Sequence, residues 1–415
     1  MAVVRAFMAI RPNQTLADRV AALPYDVMTS EEAREMVKNK PYSFLHIDKA
    51  EIDLDPSTHI YDRQVYETAR DNLQSMIQNG VLIQDAKPML YIYRLIMDGR
   101  SQTGLVACTS IDEYINGTIK KHELTREDKE QDRIRHVEIC DANTGPIFLT
   151  YRSKADIDGL INTWTESHTP VYDFVSEDGI GHTAWAVDDE AVMGQLTAAF
   201  AQVPALYIAD GHHRNASAVK VGLKKRESNP QYTGDEEFNF YLSVIFPHDQ
   251  LYIMDYNRVV KTLNGNSKKQ FLRQVSDKFD LAEKGKTPFK PQRAHTFGMY
   301  LDGLWYELSA KSDTYNPADP VGSLDVSILQ SNLLQPLLGI EDPRTSKEID
   351  FVGGMRGLSE LARRVDSGEM AVAFAMYPTS MLELMHIADA GEIMPPKSTW
   401  FEPKLRSGLF IHKLS

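Results

Sequence analysis

The sequence predicts a mixed α/β protein built from more than one packed unit. Three observations carry this. The chain has 415 residues, beyond the size at which a single hydrophobic core usually stops growing. Asp-Gly dipeptides sit between apolar runs at Asp98-Gly99 and Asp302-Gly303, the strongest short-range signal of a β-hairpin, because glycine accepts the positive φ of a type I′ turn. Amphipathic helical segments are interspersed with these strands, without the regular βαβ alternation of a doubly wound sheet.

In chain order, Ser30 can cap a helix over Glu31–Lys38. Residues 61–79 place Tyr61, Val65, Ala69, Leu73, Met76 and Ile77 on one helical face, with Gly80 as the stop. Leu90–Ile96 and Gln102–Ile111 form the first hairpin. A second is expected from Phe240–Phe246 and Leu251–Met254, turning through Pro247–Gln250, and a third from Thr296–Leu301 and Leu304–Leu308. Asp325 is expected to cap a helix carrying Val326, Leu329, Leu333 and Leu334. Met370–Met376 reads as a strand and Ser380–Ala390 as a helix closed by Gly391. Polar stretches at Asn264–Lys269 and Lys284–Arg293 suggest a new unit near residue 265, so the expected division is an N-terminal α+β unit over 1–110, a middle unit over 111–264 and a C-terminal α+β unit over 265–415.

Composition narrows the function classes. An apolar fraction of 42% with 25% charged residues is that of a globular protein. No run approaches the roughly 20 apolar residues that span a bilayer. The apolar N-terminal stretch is interrupted by Arg5 and Arg11 and does not read as a secretory signal, so the expectation is a soluble, cytoplasmic protein with no membrane partner. Cys108 and Cys140 are the sole cysteines and are read as reduced and structural. A net charge of −13 repels polyanions, so specific duplex DNA binding is not expected, while small anionic ligands remain compatible with a local site.

Such a local site stands at Asp210-Gly211-His212-His213-Arg214. Ala205–Ala209 reads as a short buried strand, Gly211 as a turn, and His213–Lys220 as the start of an Ala-bearing helix. A strand, a glycine turn and a helix start present unpaired N–H groups at one point, where the helix dipole favours an anion. Arg214 is the informative residue. A cation in a first helical turn opposes the dipole unless an anion sits there, and two histidines with an arginine are sensible phosphate donors. The plainer alternative has Asp210 capping the helix and both histidines satisfying core polar groups. Gly285-Lys286-Thr287 looks like the end of a P-loop, but Asp280 stands where its first glycine belongs and Pro288 blocks the helix that should follow.

Residues 120–136 contain only Leu124 and Ile134 as aliphatics, the pattern of a solvated helix face. His122-Glu123 nevertheless follows a strand-like segment directly. Thr125 and Asp128 have capping-box spacing, which would put Glu123 and Arg126 on one face of a helix entrance. His122, His136, His212 and His213 could in principle hold a metal, but no His-x-x-x-His or Glu-x-x-His spacing supports it. Pro395–Lys404 reads as a surface loop whose Lys397, with Arg406, could close over an anion.

Asp-Gly-His-His-Arg followed by Asn-Ala-Ser-Ala resembles the Gly-x-x-Arg-x-x-Ala phosphate box of the ParB/sulfiredoxin superfamily, and its wording is most similar to that of the free L-serine kinases. The whole chain resembles a bacterial family of unknown function through Ala22–Val27 (Ala-Leu-Pro-Tyr-Asp-Val), Lys121–Thr125 (Lys-His-Glu-Leu-Thr) and Lys397–Phe401 (Lys-Ser-Thr-Trp-Phe). The resemblance implies a ParB/sulfiredoxin-like, nucleotide-binding middle unit. It implies an activity of nucleotide-dependent phosphoryl transfer to a small hydroxylated metabolite, first of all free L-serine, in either direction, with ATP or ADP and Mg²⁺ as cofactors. The site residues implied are Gly211, His212, His213, Arg214 and Arg126, with Arg133 in reserve, on the phosphates. Glu123 is then the base, with Asp26 as its alternative, and Asp210 the Mg²⁺ ligand. The competing expectation is a ParB-like nucleotide-binding switch without transfer. Sulfinic-acid repair would need a cysteine in residues 210–214, which hold none.

Overall fold

The computed structural model describes residues 1–415, and the fold is mixed α/β. It divides into two compact units: residues 1–251 with 403–415, and residues 252–402. The expected cuts at 110/111 and 264/265 differ from this, and the reason is strand pairing.

The first unit is organised by an eight-stranded sheet. Its strands in chain order are β1 (Leu90–Met97), β2 (Arg100–Ser110), β3 (Ile119–Lys120), β4 (Ile147–Tyr151), β5 (Tyr172–Val175), β6 (Gly181–Val187), β7 (Leu206–Asp210) and β8 (Phe240–Pro247). Their spatial order is β3-β7-β4-β8-β2-β1-β6-β5. The β1–β2 hairpin forms as expected, with Asp98 and Gly99 at φ 51° and 77°. β2 then pairs along its length with β8, from Ser110 opposite Phe240 to Leu105 opposite Ile245, so residue 110 ends a strand in the middle of a sheet rather than a domain. The last residues also return here: Ile411 bridges Ile10, and His412 pairs with Asn143.

The expected hairpin of 240–246 with 251–254 does not form. β8 lies between β2 and β4, and Tyr252–Ile253 pairs with Phe401–Glu402 in the second unit. Apolar alternation identified both strands, but partner choice is set by burial across the sheet.

Five helices complete the positioning of the site: α1 (Arg63–Gln78), α2 (Glu127–Cys140), α3 (Ala155–Ser167), α4 (Glu190–Phe200) and α5 (His212–Ser228). α2 corrects the expectation of a solvated face. Glu130, Asp132, Arg133 and His136 are buried along it beside Ile134 and Val137. Polar burial is possible because each group finds a partner. Tyr66 on α1 donates to Asp132 at 2.9 Å, Ser217 on α5 donates to the Glu130 carbonyl at 3.1 Å, and Lys220 pairs with the Glu130 carboxylate. On α5, Gly222 allows close approach of the chain, since a Cβ there would stand 2.5 Å from the Phe238 carbonyl oxygen.

The second unit is an antiparallel six-stranded sheet. Its strands are β9 (Tyr256–Val260), β10 (Phe279–Gly285), β11 (Thr296–Leu301), β12 (Leu304–Ala310), β13 (Ile349–Gly353) and β14 (Val372–Ala375), ordered β10-β12-β11-β14-β9-β13. Residues 285–288 follow an edge strand, with no helix where a P-loop requires one. The β11–β12 hairpin and the helix over Ser380–Ala390 form as the sequence indicates, the helix opening on a Ser380–Glu383 capping box. Asp325 does not cap its helix; its Oδ1 accepts the His295 N–H at 2.7 Å, and the helix passes through a π-turn at Gln330–Leu334.

Candidate functional site

The site is a consequence of one parallel pairing. β3 and β7 are parallel neighbours, Leu206 opposite Ile119 and Tyr207 opposite Lys120, so the chain leaves both strands on the same side of the sheet. The loop after β3 carries His122 and Glu123, and the turn after β7 carries Gly211 to Arg214. Ligand sites in open α/β sheets characteristically lie at such carboxyl ends. The register of β7 against β4 also shifts between Ile208 and Asp210, a bulge directly before the turn.

Gly211 is the N-cap of the 17-residue helix α5, with φ 89° and ψ 34° and no side chain to accept from the first turn. That left-handed backbone suits glycine, and a Cβ there would meet the Arg214 guanidinium at 3.2 Å. The expected cap is therefore corrected: Asp210 Oδ1 accepts the N–H of its own neighbour Gly211 at 2.9 Å, outside the helix. The first-turn N–H groups are left to an anion or to water. Arg214 donates from one terminal nitrogen to the Pro146 carbonyl at 2.6 Å, while its Nε is buried without a hydrogen-bond partner.

Asp210 is not an isolated carboxylate. Its Oδ2 lies 3.1 Å from Nζ of Lys404, whose side chain is 10% exposed. Although burial pushes its pKa up, Lys404, Arg214 and His212 together hold Asp210 below the usual carboxylate range. Asp26 is exposed and is the carboxylate that acts most strongly in keeping Arg214 charged, ahead of Asp210, against the opposing effect of burial.

His212 and His122 face each other edge to face with ring centroids 4.5 Å apart, and His212 Nδ1 lies 3.8 Å from Glu123 Oε2. Burial pushes His122 down to about 4, and Asp210 and the Ile208 backbone offset only part of the fall. Burial and the neighbouring His122 push His212 well below its ordinary value, so both rings are neutral at pH 7. The ligating atoms of His122, Glu123 and His212 lie within 4.8 Å of one another. Short-range metal spacing was absent from the sequence because these donors come from two neighbouring strand ends. His213 is engaged elsewhere, its Nε2 accepting the Arg126 N–H at 3.0 Å, and burial lowers its pKa.

Two expected phosphate contacts are otherwise engaged. Arg126 is the N-cap of α2 without a side-chain cap, and its guanidinium binds Asp128 at 2.9 Å. The Thr125–Asp128 capping box is thus not made; Thr125 donates to Glu130 at 2.7 Å instead. Arg133 is buried, paired with Asp132 at 2.8 Å and stacked 4.0 Å above the Tyr25 ring. It shares with Arg214 and Tyr25 a cavity of about 20 Å³, room for about one water. Arg406 pairs with Asp178 at 2.5 Å, and Lys397, in the other unit, stacks on Tyr256. A roomier cavity of about 840 Å³ lies between α3 and α4, but its lining includes Asp156, Asp188 and Asp189, which repel phosphate.

Sequence reasoning missed Lys404, because nothing local in Pro395–Lys404 indicates a carboxylate 194 residues earlier. It also missed that His122, Glu123 and His212 converge.

Among solved structures, the chain is similar to a free serine kinase variant in complex with ADP, at 14% identity and a TM-score of 0.37, over 74% of this chain and 92% of that one. It is similar to a conserved hypothetical protein from Pyrococcus furiosus at 15% identity and a TM-score of 0.36, over 74% and 94%. A C-terminally truncated SbnI from Staphylococcus aureus matches at 13% identity and a TM-score of 0.39, over 74% and 86%. None of these likenesses assigns an activity to this chain, and no curated protein matches it. Residues 4–327 match the family described as protein of unknown function DUF1015, and the chain belongs to that family.

Proposed function

We propose that the protein transfers a phosphoryl group between a nucleotide, ATP or ADP, and a small hydroxylated metabolite, with free L-serine as the first candidate. The observation that carries this reading is the uncapped entrance of α5 beside an Arg214 whose buried Nε has no partner, with carboxylates at the same edge. Phosphoryl transfer asks little more of a protein than anchored phosphates and a positioned hydroxyl. The turn N–H groups and Arg214 hold the phosphates. The Gly-x-x-Arg wording supports kinship with the ParB/sulfiredoxin fold, with Ser217 standing where that box has alanine.

The carboxylates divide the remaining work. Asp210, ion-paired with Lys404, does not fit the Mg²⁺ role expected of it; Mg²⁺ enters such sites largely on the phosphates, with one or two carboxylates. Glu123 belongs with the two histidines. Asp26, exposed and facing Arg214, is assigned to orient the substrate hydroxyl and accept its proton.

The test is formation of phosphoserine from serine, followed by ³¹P NMR, alongside calorimetric nucleotide binding. Asp26→Asn should lower kcat by roughly 10²-fold with little change in nucleotide Kd. Arg214→Ala should weaken nucleotide binding by at least about tenfold, as a lost charge-assisted contact does. Absence of nucleotide binding in the unmodified protein overturns the proposal. Tight binding without transfer in either direction favours the nucleotide-switch reading.

A further inference from the structure

From the donor set at the end of β3 and the start of α5, we infer that His122, Glu123 and His212 form a binding site for one divalent first-row transition-metal ion, of the zinc and cobalt class. The inference adds to the phosphoryl-transfer reading of the same sheet edge, which supplies its setting.

The argument begins with unmet chemistry. His122 is 1% exposed and His212 7% exposed. By strict hydrogen-bond geometry neither ring nitrogen of His122, nor Nε2 of His212, meets a partner, although the Ile208 backbone lies close enough to His122 to act on it. Buried polar atoms are rarely left so, and an unmet nitrogen on each of two facing rings calls for a shared partner. A proton cannot serve all of them, and the perpendicular rings do not donate to each other. A metal ion can accept a lone pair from each ring.

Geometry and donor type then narrow the ion. Each residue offers one ligand atom, and these lie within 4.8 Å of one another; on the same face His212 Nδ1 stands 3.8 Å from Glu123 Oε2. An ion about 2.0–2.2 Å from each would need them roughly 3–3.6 Å apart, a closure of about an ångström that side-chain rotation supplies. Two imidazoles and one carboxylate suit zinc, cobalt, iron or manganese, whereas Mg²⁺ prefers oxygen donors and keeps its waters. The site is closed on the histidine side and open at Glu123, whose side chain is 41% exposed. Open coordination positions therefore face solvent, where a water or a substrate oxygen can enter.

The experiment uses the full chain, stripped with chelator and without nucleotide. Zn²⁺, Co²⁺ and Mg²⁺ are titrated separately by calorimetry, and Co²⁺ is also followed by its visible absorption. One Zn²⁺ or Co²⁺ should bind per chain, with Mg²⁺ at least about 100-fold weaker, in keeping with the nitrogen donors. Glu123→Ala, at a half-exposed position, should weaken Zn²⁺ by at least about tenfold and alter the cobalt spectrum. His122→Asn should abolish that spectrum; should the variant not fold, Glu123→Ala decides alone. Failure of one-to-one binding, a preference for Mg²⁺, or binding unchanged by Glu123→Ala overturns the inference. Metal binding and nucleotide binding are read separately, so loss of one reading leaves the other standing.

Discussion

The second unit should lose stability as pH rises from about 4 to about 7, and Asp325 is the reason. Its side chain is buried; Oδ1 accepts the His295 N–H at 2.7 Å, while Oδ2 has no partner. Burial, reinforced by Glu383, pushes this carboxyl from its ordinary 3.8 up to about 7. The sign follows from proton counts. Between about pH 4 and pH 7 the folded unit keeps a proton that the unfolded chain has released, so stability falls as pH rises and levels off above about 7. At about 1.4 kcal/mol per pH unit the full loss is roughly 4 kcal/mol, and local relaxation should leave about half of it measurable. Asp325→Asn keeps an oxygen to accept from His295 and removes the ionisation. Urea titrations at pH 5 and pH 8 would be read by a hydrogen-exchange pulse at one fixed pH, in peptides spanning residues 295–340. The variant should exceed the unmodified protein by roughly 2–4 kcal/mol at pH 8 and by much less at pH 5. An identical pH dependence in both proteins would refute the reasoning.

Two further substitutions probe the turn and its support. Gly211→Ala forces a Cβ to within 3.2 Å of the Arg214 guanidinium at φ 89°; it should cost about 1–2 kcal/mol in thermal unfolding and weaken nucleotide binding. Lys404→Met leaves Asp210 with Arg214 as its remaining cationic neighbour at pH 7. The stability lost should be about 1–3 kcal/mol at pH 7, tempered by the 30% exposure of Asp210. The loss should shrink in acid, because a carboxylate held below its ordinary value contributes above its unfolded pKa and ceases to as it protonates. Melting curves at pH 7 and pH 3 distinguish this from a pH-independent packing defect.

Consecutive residues were enough for the tight turns and several helix ends, though not for the Thr125–Asp128 box or the Asp325 cap, which tertiary partners displaced. Asp98-Gly99 and Asp302-Gly303 specify their hairpins because a type I′ turn needs two adjacent positive φ angles, and both pairs adopt them. Ser380 and Glu383 specify a helix start, since a capping box is closed within four residues. The strand, glycine and helix around Gly211 were legible for the same reason, as was the cation in the first turn. What tertiary structure decided is every partnership across the chain. Polar spacing over 120–136 gave no sign that Glu130 and Asp132 would be buried, because their partners Lys220 and Tyr66 lie on other helices. The apolar run of β8 was visible, but its neighbours, β2 and β4, were set by burial on both sides of the sheet. The site itself follows the same division. Its anion turn is written in five successive residues, whereas the meeting of His212 with His122 and Glu123, and of Asp210 with Lys404, exists only because β3 lies parallel beside β7 and the last residues return to the first unit.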